Sequence, residues 1–417
     1  MISPSKPRAH IHYAWLIVLS GCAFMGTTLG ALGYTVGNFF LPVSRELGCG
    51  VGDVSLYVTI NSISIALFII LTRRFVERHM RAALTTGALL IVIALAGLSC
   101  STALWQFYLW AICLGAGSGF YNGATVPTLI NSWFRTRNGM ALGICLASAA
   151  LIGAVMNPLI AAIIERFSWQ TGYRFLALTA ALLLLPFTVF VVRPSPQSLS
   201  LRPYGEAHAV VAPAAAEAPV SGATLGQAVR SPAFYLLLFV APGFSMIFGL
   251  TSHLPAYADS IGLSTSIGAA LTSASLIGGM LGKLTLGMLG DRFGARTPLA
   301  VSQLAVISGT LLIALGPVSS LLLVPGALIF GYGACTTALM PAMLTSAVFG
   351  QRDYNRILTW FTMSSSLVGG FGSTIYGFLY DGSGNYASSI ALCLGVSCCC
   401  LLFGLLALAR GRRQFSL

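Results

Sequence analysis

The stretch "GGMLGKLTLGMLGDRFGAR", residues 278–296, joins an apolar, glycine-rich run to a charged end. Its first part has the composition of a membrane-spanning helix, and Asp291, Arg292 and Arg296 mark the place where such a helix leaves the hydrocarbon. Lys283 lies inside the apolar part with no acidic residue beside it. The stretch therefore predicts a membrane span that ends in a charged loop and carries one unneutralised cation.

The composition of the whole chain is that of a membrane protein. Of 417 residues, 56% are hydrophobic and 8% are charged, whereas soluble domains have about 25% charged residues. A helix needs roughly 20 apolar residues to cross the hydrocarbon, and continuous apolar runs favour helices over a barrel. Twelve such runs are predicted, at 14–40, 54–72, 82–101, 104–130, 139–164, 173–192, 233–257, 266–289, 298–315, 319–346, 357–379 and 387–409.

The basic residues predict how the chain is oriented. Of its 22 Lys and Arg residues, 18 fall in segments on the same side as the N-terminus and three on the other side. The positive-inside rule places both termini in the cytoplasm, in a multi-pass protein of the inner or plasma membrane. The net charge of +12 is thereby explained without a nucleic-acid partner. The first apolar run is too long for a cleaved signal peptide, and the ten cysteines lack the spacing of a metal site.

The runs fall into two halves. Six spans in residues 1–192 form a predicted N-terminal lobe, residues 193–230 a cytoplasmic linker rich in Pro, Ala and Ser, and residues 231–417 a C-terminal lobe of six spans. The end of the linker, from Thr224, is predicted to form a short amphipathic helix. The fold class expected is an all-α membrane protein with twelve helices in two lobes, an architecture that binds substrate near the midplane between the lobes.

The charged loop resembles the signature of the major facilitator superfamily, G-x-x-x-D-R-x-G-x-R. The matching residues are Gly287, Asp291, Arg292, Gly294 and Arg296. The resemblance implies that these residues act in gating, the charges as a latch between the lobes on the cytoplasmic side and Gly287 in close helix contact. The corresponding loop of the first lobe, "TRRFVERHMR" at 72–81, keeps an acid-base pair and lacks the glycines.

Further stretches resemble the oxalate:formate antiporter and monocarboxylate transporter branch of that superfamily. They are "GAGSGFYNGATVPTLINSWFRTRNGMALGI" (115–144), "WQTGYR" (169–174), "HLPAYADSIGLS" (253–264) and "FGQRDYNRI" (349–357). The branch carries a carboxylate-binding cation eight residues before the loop aspartate, and Lys283 occupies that position. The second cation of oxalate-type members is missing from span eleven, which favours monocarboxylates. The proton-site aspartate of eukaryotic monocarboxylate carriers is replaced by Gly279.

Lys283 also stands out without the resemblance, because it is the one charge predicted inside a span. Placing a charge there costs about 2.5–3.5 kcal/mol, and a buried charge needs a partner. All ten acidic residues fall outside the predicted spans or at their ends, so the predicted partner is an anionic ligand. The alternative is that the lysine stem reaches along the helix toward the cytoplasm.

Five polar residues are further candidates for binding substrate. Tyr34 and Asn38 lie in span one, and Tyr121 and Asn122 in span four. Each either donates a hydrogen bond to the substrate or joins helix to helix, an interaction worth about 0.6 kcal/mol on average. His253 in span seven either carries a proton coupled to transport or hydrogen-bonds a neighbour.

These patterns predict a secondary active or facilitative transporter of a small organic monocarboxylate, working by alternating access as an antiporter or with protons. Its expected partners are the carboxylate and the lipid bilayer, and it is expected to function as a monomer. The sequence shows no phosphate-binding loop, so ATP hydrolysis is not predicted. It shows no nucleophile-base pair either, so the protein is not predicted to be an enzyme. No cofactor or metal site is predicted. The alternatives are an exporter of a larger amphiphile or drug, and a membrane ligand sensor that does not transport.

Overall fold

The computed structural model describes residues 12–121, 125–134, 136–199, 201–205, 222–337 and 339–415. These residues are almost entirely helical. The helices of the N-terminal lobe are α1 (Tyr13–Met25), α2 (Gly37–Leu47), α3 (Val51–Arg78), α4 (Met80–Ser99), α5 (Leu104–Gly119), α6 (Thr125–Trp133), α7 (Asn138–Arg166) and α8 (Trp169–Pro186). The helices that follow are α9 (Leu225–Val229), α10 (Pro232–Gly249), α11 (Leu254–Ser260), α12 (Thr265–Phe293), α13 (Arg296–Ala314), α14 (Leu323–Ala334), α15 (Leu339–Phe349), α16 (Tyr354–Ser383) and α17 (Ala387–Phe415).

The predicted spans correspond to these helices. Among the described residues, ten helical segments are long and apolar enough to cross a membrane. The two other predicted spans coincide with α5 and α6, separated by a break, and with α16, a 30-residue helix with a higher polar content. The protein is therefore an all-α membrane protein with twelve membrane-spanning segments in two lobes. The short helix predicted after the linker is confirmed as α9, where Thr224 caps the first turn.

In the first, fourth, seventh and tenth spans the α-helix is interrupted near the middle of the span. The first span consists of α1, a π-helical stretch over Gly26–Gly33, and α2. The seventh joins α10 to α11 through a 3₁₀ turn at Leu250–His253, and the fourth and tenth end and restart between α5 and α6 and between α14 and α15. Glycine-rich sequence at each break weakens the helix, and broken helices at the midplane are a feature of secondary transporters.

Each lobe has its own hydrophobic core. One cluster of buried side chains runs from Ala14 to Val192 and a second from Ala223 to Leu408. Within the second lobe, glycines bring helix backbones into contact. A Cβ atom built on Gly331 of α14 would lie 1.9 Å from the carbonyl oxygen of Ser275 in α12, and one on Gly278 would lie 2.0 Å from that of Leu328. Close backbone approach of this kind is how helices associate in lipid, where apolar side chains gain little from leaving the hydrocarbon.

The α12–α14 contact predicts that Gly331→Val is strongly destabilising. The new side chain would meet backbone rather than a flexible side chain, so the two helices must separate, at an expected cost of about 2 kcal/mol or more. Thermal unfolding of the purified protein in detergent measures the effect. Gly395→Val in α17 is the matched control, because a Cβ at Gly395 meets nothing within 4 Å. Equal melting temperatures for the two variants would contradict the predicted contact.

Candidate functional site

The two lobes are joined at the end of the bundle opposite the chain termini, called here the closed end. Its central contact lies between α16 of the second lobe and α3 of the first. The Asp381 carboxylate accepts hydrogen bonds from the backbone N–H groups of Val51 (2.9 Å) and Gly52 (2.6 Å). These amides belong to the first turn of α3, whose positive dipole end favours a carboxylate. Asp381 therefore caps a helix of the other lobe.

Other polar contacts at the closed end support this one. Arg45 in the last turn of α2 forms an ion pair with Asp259 in α11, with 2.5 Å between Nη2 and Oδ2. This pair is largely solvent-exposed, so its expected contribution is at most about 1 kcal/mol. Ser266 in α12 donates to the Glu165 carboxylate (3.2 Å), and Ser273 donates to the backbone oxygen of Ala154 in α7 (2.7 Å).

Toward the termini the lobes separate. Contacts between the lobes nearer the middle of the bundle include Leu276 of α12 against Gly153 of α7, and Gly370 of α16 against Ser62 of α3. Beyond them, Cβ atoms built on Gly143 in α7 and on Gly287 in α12 meet nothing within 4 Å. The space bounded by these contacts and opening toward the end that carries the termini is called the inter-lobe cleft. It is the space in which a substrate can meet both lobes.

Lys283 lies on the cleft face of α12. It follows Leu276 by seven residues, which is two helical turns, so both side chains leave the same face of the helix about 10 Å apart. The side chain is exposed, and it forms no salt bridge or hydrogen bond with the residues that the structure describes. It is close enough to Cys335 for an electrostatic interaction. Thr285 follows Lys283 by two residues and therefore leaves nearly the opposite side of α12, where its hydroxyl donates to the Tyr332 hydroxyl of α14 at 2.8 Å.

Of the two candidates in the first span, one reaches the cleft boundary. Tyr34 is half-buried, packs edge-on against Phe248 of the other lobe with ring centroids 5.9 Å apart, and touches the Gly153 position. Asn38 is buried, and its Nδ2 donates to Asn157 Oδ1 at 3.1 Å, so it joins α2 to α7 within one lobe. The structure thus places Tyr34 beside the cleft and Asn38 in a contact between helices.

Two other candidates have no exposed surface. Tyr121 is 0% exposed, donates to the Leu84 carbonyl at 2.6 Å and joins span four to α4. His253 is also 0% exposed, with Nε2 2.7 Å from the Ser373 carbonyl oxygen and Nδ1 3.2 Å from the Tyr386 hydroxyl. The structure therefore does not bring either side chain into the cleft, because each is held by partners within its own lobe. Asn122 lies outside the described residues.

The signature loop lies at the open end of the cleft. Gly294 ends α12 with φ +72° and ψ 175°, a conformation that is essentially restricted to glycine. Asp291, Arg292 and Arg296 are exposed and form no ion pair with the residues described, and Gly287 has open space beside it. The latch and the close helix contact predicted for these residues are not formed in this conformation, since the lobes are apart at this end.

The contacts of Asp381 and of Arg45 with Asp259 were not predicted from the sequence. Asp381 lies near the end of α16, and no residue next to it in the sequence indicates which group it contacts. The available signal is the pair Gly50 and Gly52 before span two, since glycines at a helix start permit close approach of another group. A Cβ on Gly50 or Gly52 would lie 2.5 or 2.9 Å from Asp381 Oδ2.

Solved structures of transporters share this architecture. A mutant of the nucleoside transporter NupG superimposes with a TM-score of 0.73 at 12% sequence identity, covering 96% of this chain and 100% of that one. A bacterial homologue of the human lysosomal transporter Spinster, in an inward-facing and unoccupied conformation, gives a TM-score of 0.63 at 16% identity, covering 99% and 98%. At these identities the likeness shows the fold alone.

The sequence profile of the Major Facilitator Superfamily matches residues 23–284 and 264–415. The chain belongs to the major facilitator superfamily. Bovine monocarboxylate transporter 13 is 27% identical over 326 residues, 75% of this chain and 70% of that protein. The transporter pynF of Aspergillus niger is 24% identical over 349 residues, 81% and 74%. The multidrug resistance protein MdtG of Klebsiella pneumoniae is 26% identical over 319 residues, 72% and 70%.

Membership of the major facilitator superfamily bears out the predicted resemblance at the level of fold and general activity. The chain is a membrane transporter with the alternating-access fold, and the superfamily consists of transporters rather than enzymes. The similar proteins include a monocarboxylate transporter and a multidrug transporter, so they agree on transport and differ in substrate.

Proposed function

We propose that this transporter carries a small organic monocarboxylate, which binds to Lys283 in the inter-lobe cleft. The observation that carries the proposal is the position of this ammonium: on the cleft face of α12, exposed, and without an acidic partner among the described residues. A cation between apolar helices attracts a carboxylate more strongly than it would in water. The similarity to monocarboxylate transporter 13 supports the same substrate class.

The neighbourhood of Lys283 suits a single carboxylate group. Tyr34 lies beside the cleft in the other lobe, and its hydroxyl offers a hydrogen bond to a carboxylate or to a hydroxyl on its carbon chain. One fixed cation matches one negative charge, and the transport cycle is then exchange of anions, symport with a proton, or facilitated diffusion across the cell membrane.

A drug or larger amphiphile is the second candidate. The similarity to MdtG favours it, and so does the apolar surface in this half of the bundle, where the Met363 side chain is 63% exposed two turns from Gly370 on the same face of α16. In that case Lys283 would serve gating, and binding would not depend on a carboxylate. The two proposals therefore differ in which ligands protect the ammonium from modification: carboxylates in the first, uncharged amphiphiles in the second.

Amine labelling tests the proposal directly, because the chain has two lysines, Lys6 and Lys283. An amine-specific reagent is applied to the purified protein, and modification of each lysine is measured by peptide mass spectrometry. Monocarboxylates from acetate to hexanoate are added in turn, with the matching amides as uncharged controls. We expect at least one carboxylate to protect Lys283 while its amide does not, and Lys6 to be labelled equally throughout.

Protection of Lys283 by an uncharged amphiphile, together with no protection by any carboxylate, would favour the drug-exporter reading. Equal labelling with and without every carboxylate would contradict the proposed site.

A further inference from the structure

A groove of about 530 Å³ lies between α10 and α17 on the second lobe. Its walls are apolar and aromatic: the Tyr235 and Phe239 side chains are 58% and 50% exposed, and Phe239 packs edge-on against Phe403 with ring centroids 5.4 Å apart. Helix α17 packs against α10, α13, α15 and α16, all in the same lobe. The groove is therefore on the periphery of the bundle, separate from the inter-lobe cleft.

Two arginines line one end of this groove. Arg230 immediately precedes the span that starts at Pro232, and Arg410 is at the end of the span that runs to Gly411. Both side chains are exposed, and neither forms a salt bridge or hydrogen bond with any residue that the structure describes. Two guanidinium groups without acidic partners among the described residues thus line the same end of the groove, where both helices reach the membrane boundary.

The groove is amphipathic along the membrane normal. Phe239 follows Pro232, the first residue of α10, by seven residues, which places it roughly 10 Å deeper along the helix than the end next to Arg230. A ligand that fits both parts has a negatively charged head at the boundary and a hydrocarbon chain below it. A soluble anion makes no contact with the aromatic walls, and a zwitterionic lipid carries no net negative charge to offset the two guanidinium groups.

From this charge and shape we infer that the groove binds one anionic phospholipid. Its phosphate is held by Arg230 and Arg410, with the bidentate geometry that guanidinium groups offer to phosphate. Its acyl chain lies against Phe239 and Phe403, and the Tyr235 ring lies at the level of the headgroup, where aromatic side chains are common. Basic pockets between membrane helices on the cytoplasmic side are a recurrent form of lipid recognition.

Thermal unfolding of the full chain in a neutral detergent tests the inference. Phosphatidylglycerol and phosphatidylcholine with the same acyl chains are added separately, because a ligand that binds the folded state raises the melting temperature. We expect phosphatidylglycerol to raise it more than phosphatidylcholine, and the double variant Arg230→Gln/Arg410→Gln to lose most of that difference. Replacing both arginines by lysine should keep part of it, since the charge remains.

Two controls make the result specific. Arg352→Gln/Arg356→Gln removes two exposed arginines that do not line the groove, and should keep the full response to phosphatidylglycerol. Glycerol phosphate, which has the head without the chain, should give no shift. The inference is overturned if the groove variant responds as the parent does, if the control variant loses as much, if phosphatidylcholine stabilises equally, or if glycerol phosphate alone reproduces the shift.

Discussion

Replacing Lys283 by glutamine is expected to abolish carboxylate uptake into proteoliposomes. Glutamine keeps a hydrogen-bond donor of similar length but removes the charge that the proposed site supplies. A hydrogen bond to a charged group is worth about 1.5 kcal/mol or more, which corresponds to an affinity loss of roughly tenfold or more. Lys283→Ala should behave as the glutamine variant, and Lys283→Arg should retain part of the uptake because the charge remains.

Folding has to be measured beside uptake. The lysine side chain is exposed and makes no hydrogen bond to the described residues, so the melting temperature of Lys283→Gln should match that of the parent protein. Arg352→Gln, which removes an exposed cation in the loop between α15 and α16, should leave uptake unchanged. Normal uptake by the glutamine variant would rule out Lys283 as the carboxylate site, whereas equal loss in both variants would point to a general effect of charge.

Asp381→Ala is expected to open the closed end. The substitution removes the carboxylate that accepts the amides of Val51 and Gly52, and with it two charge-assisted hydrogen bonds between the lobes. Because the carboxylate is partly exposed, we expect a loss of about 1.4 kcal/mol, which shifts the balance between the two states of the cycle about tenfold. Spin labels are placed at Thr102 and Val318, which lie in loops of the two lobes at the closed end. Opening of this end is observed as a longer distance between the two labels.

The ion pair of Arg45 and Asp259 provides the matched control. It joins the same two lobes at the same end, but through one side-chain pair in which Arg45 is 64% exposed, whereas Asp381 binds two backbone amides of a helix start. Asp259→Ala should therefore change the label distances less than Asp381→Ala does. Unchanged distances in Asp381→Ala, or an equal change in both variants, would show that capping of α3 does not hold the closed end.

The fold follows closely from the sequence because the membrane imposes a strict requirement. Backbone groups in hydrocarbon must be paired within helices, so each long apolar run marks a span. The breaks in spans one, four, seven and ten were not predicted. A helix interruption within an apolar run leaves no change in hydropathy, and glycines occur both at breaks and at close helix contacts such as Gly331.

The position of a candidate residue relative to the cleft could be predicted from the sequence for the single charged residue. It could not be predicted for the uncharged polar residues, because each has several possible hydrogen-bond partners. Lys283 is distinctive in the sequence, and its position on the cleft face follows from helical spacing to Leu276. The hydroxyl of Tyr121 and the amide of Asn38 instead bond within the first lobe, which only tertiary packing decides. Contacts between lobes, such as that of Asp381, depend on residues more than 300 positions apart in the chain.

The burial of His253 determines whether this residue can couple transport to protons, and so whether transport moves net charge. Its imidazole has no exposed surface and both ring nitrogens are engaged, so protons from the cleft do not reach it in this conformation. A carboxylate that crosses with neither a proton nor an anion exchanged for it takes its negative charge along, and the cycle then generates a current. Membrane voltage and the carboxylate gradient, rather than a pH gradient, would then set the direction of net flow.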